Sequence, residues 1–174
     1  MQDAVAIMTD ARLSRQEFTT LLERHRGIVF KVANSYAWHP EDRAELAQEI
    51  AAQLWRAYPR YDPARSFSTW MYRIALNVGI SQVRRDRPRE QHNVPMDETL
   101  HDVADPAAPD PETSHQLRQL QRVIQSLDPL NRALMLLYLE ERSNREIGDI
   151  LGLSESNVST KISRLKQRIR EQFS

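Results

Sequence analysis

An acidic, proline-rich stretch near the middle of the chain constrains its fold more than any other feature. Five of the nine prolines fall within residues 88–111, and residues 90–117 hold seven acids and no lysine or arginine. Proline removes a backbone donor and breaks helices, and so polar a segment buries little apolar surface. We therefore predict a flexible, extended or disordered linker over residues 89–115, which joins two folded units.

The chain before this linker has helical periodicity throughout. Apolar residues recur at helical spacing over residues 18–33, again over 46–57, and a third time over 67–78. Amphipathic helices with short connections form small bundles. We predict such a bundle over residues 15–88, preceded by an N-terminal tail of residues 1–14.

The chain after the linker, residues 116–174, contains a helix-turn-helix pattern. Ser143 and Glu146 form an S-x-x-E capping box, and Gly152 follows where a helix C-terminus favours glycine. Ser154 is placed to cap a second helix, whose apolar stripe is Val158, Ile162, Leu165 and Ile169. Since no β-alternation of useful length occurs, we predict an all-α protein with two small helical domains.

The second helix of this motif has the polarity expected of a DNA-binding helix. Residues 157–174 contain five cations and one acid, although the formal net charge of the whole chain is zero. Its outward positions hold hydrogen-bonding and cationic groups suited to base edges and phosphates in the major groove. The alternative is an ordinary solvated face of a helical hairpin.

Several classes of function lack support in the sequence. The chain has no cysteine, which excludes disulfides and thiolate zinc sites, and its five histidines show no close metal-ligand pairing. We find no glycine-rich phosphate loop and no framed nucleophile, so we expect no catalysis, metal or cofactor. Without a secretory signal or a run of roughly twenty apolar residues, a cytoplasmic protein with no membrane insertion is expected.

The helix-turn-helix and two further motifs resemble one family. Residues 127–166 resemble region 4 of bacterial RNA polymerase sigma factors. E-L-A-Q-E at residues 45–49, followed by Trp55, resembles the D-L-x-Q-E...W stretch of region 2, and F-S-T-W-M-Y-R-I-A-L-N at residues 67–77 resembles its F-x-x-W-L-Y-R-I-A-x-N signature. Because no middle domain and no acidic N-terminal domain are present, the chain is identified as a member of the extracytoplasmic-function branch.

The resemblance implies a sigma factor, which binds the polymerase core and directs promoter-specific transcription initiation. Region 2 (residues 15–88) would bind core, recognise the −10 element and help to melt DNA, and region 4 (residues 116–174) would read the −35 element. The implied partners are the core, through the clamp coiled coil of its largest subunit and the flap, promoter DNA, and an anti-sigma factor, often membrane-bound in this family. A monomer is expected when the protein is free.

Three residue sets carry these implied roles. The set expected to bind core polymerase is Glu45, Gln48, Glu49, Gln53 and Trp55. The set expected to bind the −10 element is Arg60, Tyr61, Arg65, Phe67, Arg73, Asn77, Arg84 and Arg85. The set expected to bind the −35 element is Ser156, Asn157, Ser159, Thr160, Lys161, Ser163 and Arg164.

The sequence departs from the family pattern in two places. The stretch Ser159-Thr160-Lys161 lacks one cationic base-reader found in many members, so the −35 sequence cannot be transferred from them. Ala51 and Ala52 are small where an aromatic or bulky residue is common. For the acidic linker, the resemblance suggests a path through the polymerase channel later used by RNA, against the alternative of a plain tether.

Three other functions compete with this interpretation. An autonomous helix-turn-helix repressor or activator would bind promoters without polymerase, and would usually dimerise to match two half-sites. An enzyme would lose a hydrolytic activity when its histidines are replaced. An interaction protein that sequesters a partner would fail to support transcription.

Overall fold

The computed structural model describes residues 2–90, 115, 119–120, 122–124 and 126–173, and within these ranges it contains helices and no strand. The predicted all-α class is confirmed. The helices are α1 (Gln2–Tyr36), α2 (Pro40–Ala57), α3 (Phe67–Glu90), α4 (Pro129–Leu139), α5 (Asn144–Leu151) and α6 (Glu155–Phe173), with a 3₁₀ turn at Tyr58–Arg60 after α2.

The first three helices form one bundle in which each helix contacts the other two. The predicted apolar stripes supply its core, because the side chains that repeat at helical spacing are those that the bundle buries. The buried residues include Val32, Ala33, Leu46, Ile50, Leu54, Met71 and Ala75. The bundle presents the opposite, polar face of α2 to solvent, and in the N-terminal half of α3 the exposed residues are Arg73 and Asn77.

The start of α2 and the end of α1 are stabilised together. Pro40 occupies the first turn of α2, where its missing N–H is not needed, and the acids Glu41 and Asp42 complement the positive end of the helix dipole. Arg43 turns back and donates to the carbonyl oxygens of Ala37, at 3.2 Å, and Trp38, at 3.0 Å. The sharp turn between the two helices is therefore held by one guanidinium group.

The last three helices form the predicted helix-turn-helix unit. Asp128 caps α4 by accepting from the backbone N–H of Asn131 at 3.1 Å. The predicted capping box of α5 is confirmed. The backbone N–H of Glu146 donates to the Ser143 hydroxyl at 3.2 Å, and the backbone N–H of Ser143 donates to the Glu146 carboxylate at 2.9 Å. Gly152 ends α5 in the left-handed region at φ +70°, as the helix C-terminus requires.

Part of the predicted organisation falls at or beyond the limits of the described residues. Of the predicted linker, residues 91–114 lie outside them, whereas residues 89–90 continue α3 and residue 115 is helical. The segment predicted as an N-terminal tail is helical from Gln2 onward. Among the described helices, none is both long and apolar enough to cross a lipid bilayer.

Candidate nucleic-acid interface

The predicted core-binding residues all lie on α2, with Glu45, Gln48 and Trp55 turned away from its buried stripe and Glu49 and Gln53 beside that stripe. Glu45 and Gln48 are exposed, and Glu49 and Gln53 are half-buried and joined by a hydrogen bond of 2.8 Å. Trp55 is 43% exposed. The face therefore offers carboxylates, amides and one indole to a partner, which is a surface suited to contact with cations.

The Trp55 side chain also packs against residues of α1. Its ring packs edge-to-face on Phe18, with centroids 5.2 Å apart, and the guanidinium carbon of Arg15 lies 5.8 Å from the indole centroid. The side chain combines a fixed orientation with an exposed edge. Packing and contact with a partner are both available to it.

Hydrogen bonds within the loop between α2 and α3 fix its conformation, and the loop exposes two arginines. The Asp62 carboxylate accepts from the N–H of Ala64 at 3.0 Å, and the Tyr61 hydroxyl donates to the carbonyl of Arg65 at 2.6 Å. Arg60 and Arg65 are exposed on this loop. Both predicted cations are thus accessible to a nucleic-acid strand.

An aromatic cluster anchors the same loop to the bundle. The ring of Tyr61 lies 5.4 Å from Phe67 and 5.0 Å from Trp70, and Tyr58 extends the cluster towards Phe18 at 5.0 Å. Phe67 is only 7% exposed, so in this conformation its ring packs in the cluster and is not presented for base stacking. Tyr61 is half-buried and keeps part of its surface accessible.

Four polar side chains form one exposed stripe on α3. Arg73, Asn77 and Arg84 are exposed, and helical spacing of four and seven residues places them on the same face. Ser81 is exposed on this face as well. Sequence comparison with the family motif missed Ser81, which the helical register alone could have found. Arg85 is exposed on a different side of the helix.

The predicted −35 residues lie on the outward side of α6. Val158, Ile162 and Leu165 are buried as predicted. All seven predicted contact residues are exposed except Lys161, which is half-buried. At 100° per residue, Ser156, Thr160, Ser163 and Arg164 are central on the outward face, with Ser159 on one flank and Lys161 on the other.

A cleft of about 460 Å³ adjoins the flank of α6 that carries Ser159. Its wall includes Asn144 from α5, Tyr138 from α4 and Lys166 from α6, and the Lys166 ammonium lies 5.2 Å from the Tyr138 ring centroid. The remaining lining residues are Ile162, Ser163, Gln167 and Arg170. No carboxylate lines the cleft, so its hydroxyl, amide and cationic groups suit a phosphate oxygen. Sequence reasoning missed it because three helices contribute.

Comparisons with known proteins agree on one family. A family model described as Sigma-70 region 2 matches residues 21–89, and one described as Sigma-70, region 4 matches residues 117–169. The chain is 25% identical to ECF RNA polymerase sigma factor SigW of Bacillus subtilis (strain 168) over 167 residues, which covers 90% of this chain and 88% of the relative. It is 29% identical to ECF RNA polymerase sigma factor RpoE of Cereibacter sphaeroides over 181 residues, with 99% and 96% covered.

Two solved structures share the fold. CnrH in complex with the cytosolic domain of CnrY has a TM-score of 0.66 at 21% identity, with 91% of this chain and 88% of that chain covered. The sigma factor RpoE in complex with the anti-sigma factor NepR from Bartonella quintana has a TM-score of 0.66 at 18% identity, with 90% and 94% covered. The helical arrangement is therefore one that these proteins also adopt.

Proposed function

We propose that the two helical units of this chain divide promoter recognition between them. The proposal follows from the family, because the chain belongs to the extracytoplasmic-function branch of the bacterial RNA polymerase sigma factors. The chain binds RNA polymerase core and directs promoter-specific transcription initiation. The unit of residues 15–88 binds core and the −10 element, and the unit of residues 116–174 binds the −35 element. As a transcription initiation factor it has no catalytic residue of its own.

The face of α2 is the proposed contact for core polymerase. Exposed and half-buried carboxylates alternate there with amides, and the buried stripe beneath them fixes their direction. Reversing the charge of Glu45 and Glu49 to lysine should slow association with core and alter its salt dependence, because rim charges act mainly on the on-rate. Glu23→Lys, on an exposed face of α1, is the matched control that should leave association unchanged.

The loop before α3 and the stripe on α3 are the proposed −10 contact. Two exposed loop arginines and a stripe with two further arginines, one asparagine and one serine give a cationic, donor-rich path for an unpaired strand. Asn77 has the polarity to read a base edge. Asn77→Ala should therefore relax base preference at one −10 position, whereas Arg73→Ala should weaken binding to all promoters alike.

The outward face of α6 is the proposed −35 contact, and the observation that carries it is the division of that helix into two faces. Val158, Ile162 and Leu165 of its apolar stripe are buried, whereas the opposite face holds hydroxyl, amide and cationic groups. The cleft beside Ser159 supplies phosphate contacts along one flank. Base readout then falls on the central residues of the face, among them Arg164.

A promoter library with randomised −35 positions tests this assignment. We expect Arg164→Ala to lower initiation and to relax sequence preference at one −35 position, at a cost of about 1–3 kcal/mol in discrimination. Arg26→Ala, which removes an exposed arginine of α1, should leave the preference unchanged. Equal preference profiles for Arg164→Ala and the parent chain would remove Arg164 from base readout.

An anti-sigma factor is a further proposed partner, and the cytoplasm is the proposed location. The proposal rests on the family and on the fold shared with two sigma factors, one solved with the cytosolic domain of CnrY and the other with the anti-sigma factor NepR. A candidate anti-sigma factor from the same genome should abolish transcription when it is equimolar with this chain. An excess of this chain should then restore transcription.

A further inference from the structure

Three helices of the helix-turn-helix unit enclose the cleft that adjoins α6. Tyr138 of α4 and Asn144 of α5 contribute to its wall, and α6 supplies the remaining lining residues, among them Ser159. We call this space the flank cleft. Its volume of about 460 Å³ falls in the range of about 300–1,000 Å³ that small-molecule sites have in proteins. The flank cleft therefore has room for a molecule larger than a single ion.

Four polar side chains of α6 line the flank cleft because they share one side of the helix. Successive members are four, three and four residues apart, which is the spacing of one helical stripe. The two hydroxyl groups come first along the helix and the two cations follow. The four are Ser159, Ser163, Lys166 and Arg170. This wall therefore offers hydrogen-bond donors and two positive charges to the space that it faces.

An aromatic ring positions the Lys166 ammonium at the wall of the flank cleft. The ammonium nitrogen lies 5.2 Å from the centroid of the Tyr138 ring, which is a cation–π distance. An ammonium group has three N–H donors, and contact with a ring face does not satisfy them as a carboxylate would. Lys31 shows the difference, since its ammonium lies 2.6 Å from the Glu140 carboxylate. Lys166 is therefore a positioned cation with donors to offer to an anion.

Among the described residues that line the flank cleft, none carries a carboxylate to neutralise these cations. Glu171 is one turn of α6 beyond Gln167 and accepts from the Gln167 amide at 3.2 Å, but Glu171 does not line the cleft. Gln167 does line it and adds a further polar group. Cations that gather in a concave site raise the local concentration of anions. The flank cleft thus favours an anionic ligand with several oxygen acceptors.

The charge of the flank cleft distinguishes between two kinds of phosphate group. A phosphate monoester carries about −1.5 to −2 charge at neutral pH and has three acceptor oxygens. Each phosphate of DNA carries one negative charge. The two lining cations therefore match the monoester more closely. A free monoester can also enter a cleft of this size, whereas a DNA phosphate has to bring the duplex with it.

We propose that the flank cleft is a binding site for a small phosphate monoester, and that this ligand competes with −35 DNA. The competition rests on the proposed function of α6, whereas binding of the ligand does not. The shared chemistry is a phosphate group, which a free molecule or the DNA backbone can supply. A bound monoester takes the phosphate contacts on the flank that carries Ser159, and DNA then loses them. Promoter binding by this chain therefore falls as the concentration of the monoester rises.

The lysines of the chain allow ligand binding to be measured site by site. The chain has three lysines, which are Lys31, Lys161 and Lys166. Acetylation by an amine reagent, followed by peptide mass spectrometry, gives the labelling rate of each lysine separately. The probes are adenosine 5′-monophosphate and inorganic phosphate. Adenosine, which lacks the phosphate, and sodium chloride at equal ionic strength are the controls.

We expect selective protection of Lys166. An open, solvated site of this kind should have a dissociation constant of about 1 mM, so about 10 mM adenosine 5′-monophosphate should slow the labelling of Lys166 by about five- to tenfold. Inorganic phosphate should protect Lys166 as well. Labelling of Lys31 and Lys161 should not change, and neither control should protect any lysine.

Variants of the lining test whether these side chains hold the phosphate. Asn144→Ala and Ser163→Ala each remove one hydrogen-bonding group from the flank cleft. In each variant, the concentration of adenosine 5′-monophosphate that halves the labelling of Lys166 should rise about two- to tenfold. Asn34→Ala, which removes an exposed amide of α1, should leave that concentration unchanged. Circular dichroism checks that each variant is folded.

Competition with DNA is measured on a promoter fragment bound by the chain in complex with core polymerase. We expect about 10 mM adenosine 5′-monophosphate to lower the affinity for the fragment by about three- to tenfold, with adenosine and sodium chloride as controls. The decrease should be smaller with Asn144→Ala. An equal decrease with this variant would place the effect outside the flank cleft and would overturn the competition.

The remaining outcomes separate the ligand site from the proposed function. Unchanged labelling of Lys166 with both phosphate probes would overturn the site, and protection by DNA alone would show that the cleft serves only the DNA backbone. Equal protection of Lys161 and Lys166 would indicate general charge screening and would also overturn it. If the chain with core binds no promoter, the proposed function fails, while the labelling rates still decide whether the flank cleft binds a monoester.

Discussion

Replacing Gly148 with alanine should destabilise the helix-turn-helix unit, although alanine is the better helix former. A Cβ at position 148 would lie 2.5 Å from the carbonyl oxygen of Leu153, a distance that real Cβ atoms essentially never show. The obstructing atom belongs to the backbone, and the Leu153 N–H donates to the Gly148 carbonyl at 3.0 Å. The turn therefore has to move, and that hydrogen bond has to weaken.

The change in the free energy of unfolding follows from one favourable and two unfavourable contributions. Alanine gains about 1 kcal/mol of helix propensity over glycine. Overpacking costs about 1–3 kcal/mol, and the loss of one hydrogen bond costs about 1 kcal/mol. The free energy of unfolding should therefore fall by about 1–3 kcal/mol for Gly148→Ala. Because the turn also directs α6, affinity for −35 DNA should fall as well.

Urea unfolding followed by far-ultraviolet circular dichroism is the suitable assay. Tryptophan fluorescence would report on the wrong unit, since Trp38, Trp55 and Trp70 all lie in the N-terminal bundle. Gly27→Ala is the control, because the added Cβ meets nothing within 4 Å, and it should stabilise by about 0.5–1 kcal/mol. A Gly148→Ala chain as stable as the parent would refute the steric reasoning.

Three further predictions follow from other positions. Glu141 has φ of 56°, so Glu141→Gly should stabilise by about 1–2 kcal/mol in the same urea assay, and any loss of stability would contradict the strain argument. In the folded chain, burial and two neighbouring guanidinium groups lower the pKa of His25 below its usual 6.5. As the pH falls, the unfolded state therefore binds the proton before the folded state does, and the free energy of unfolding should decrease as the pH drops through 6.5. In His25→Gln that part of the pH dependence should be missing, and an unchanged pH profile of urea midpoints would exclude His25 as its source. For Lys161→Ala we expect uniformly weaker DNA binding and a log–log salt slope smaller by about 1, whereas a changed base preference would show that Lys161 reads a base.

Features governed by local chemistry were predictable from the sequence. The capping box at Ser143 and Glu146 and the helix end at Gly152 were predicted and are confirmed. Of the predicted stripe of α6, Val158, Ile162 and Leu165 are buried and Ile169 is half-buried. Each depends on residues within a few positions of one another, where backbone hydrogen bonding and helical period decide the outcome. Most of the residues predicted on the polar faces of α2 and α6 are exposed, and Glu49, Gln53 and Lys161 are half-buried.

Features that depend on distant residues were missed. Arg132 contacts Ser35 across 97 positions and Lys31 contacts Glu140 across 109, and no pattern in a short window signals either pair. The role of Gly148 likewise follows from the approach of a turn, not from its place in a helix. Phe67 stays a predicted DNA contact, and its enclosure by neighbouring rings is visible only in the folded bundle.

Run-off transcription with purified core polymerase, with and without this chain, tests the central claim most directly. The templates are promoter fragments from its own genome, and a second reaction omits core. We predict specific transcripts only when core and chain are both present, with shared sequence elements upstream of the start sites. Absence of transcripts together with absence of core binding would contradict the account, and promoter binding without polymerase would indicate an autonomous DNA-binding protein.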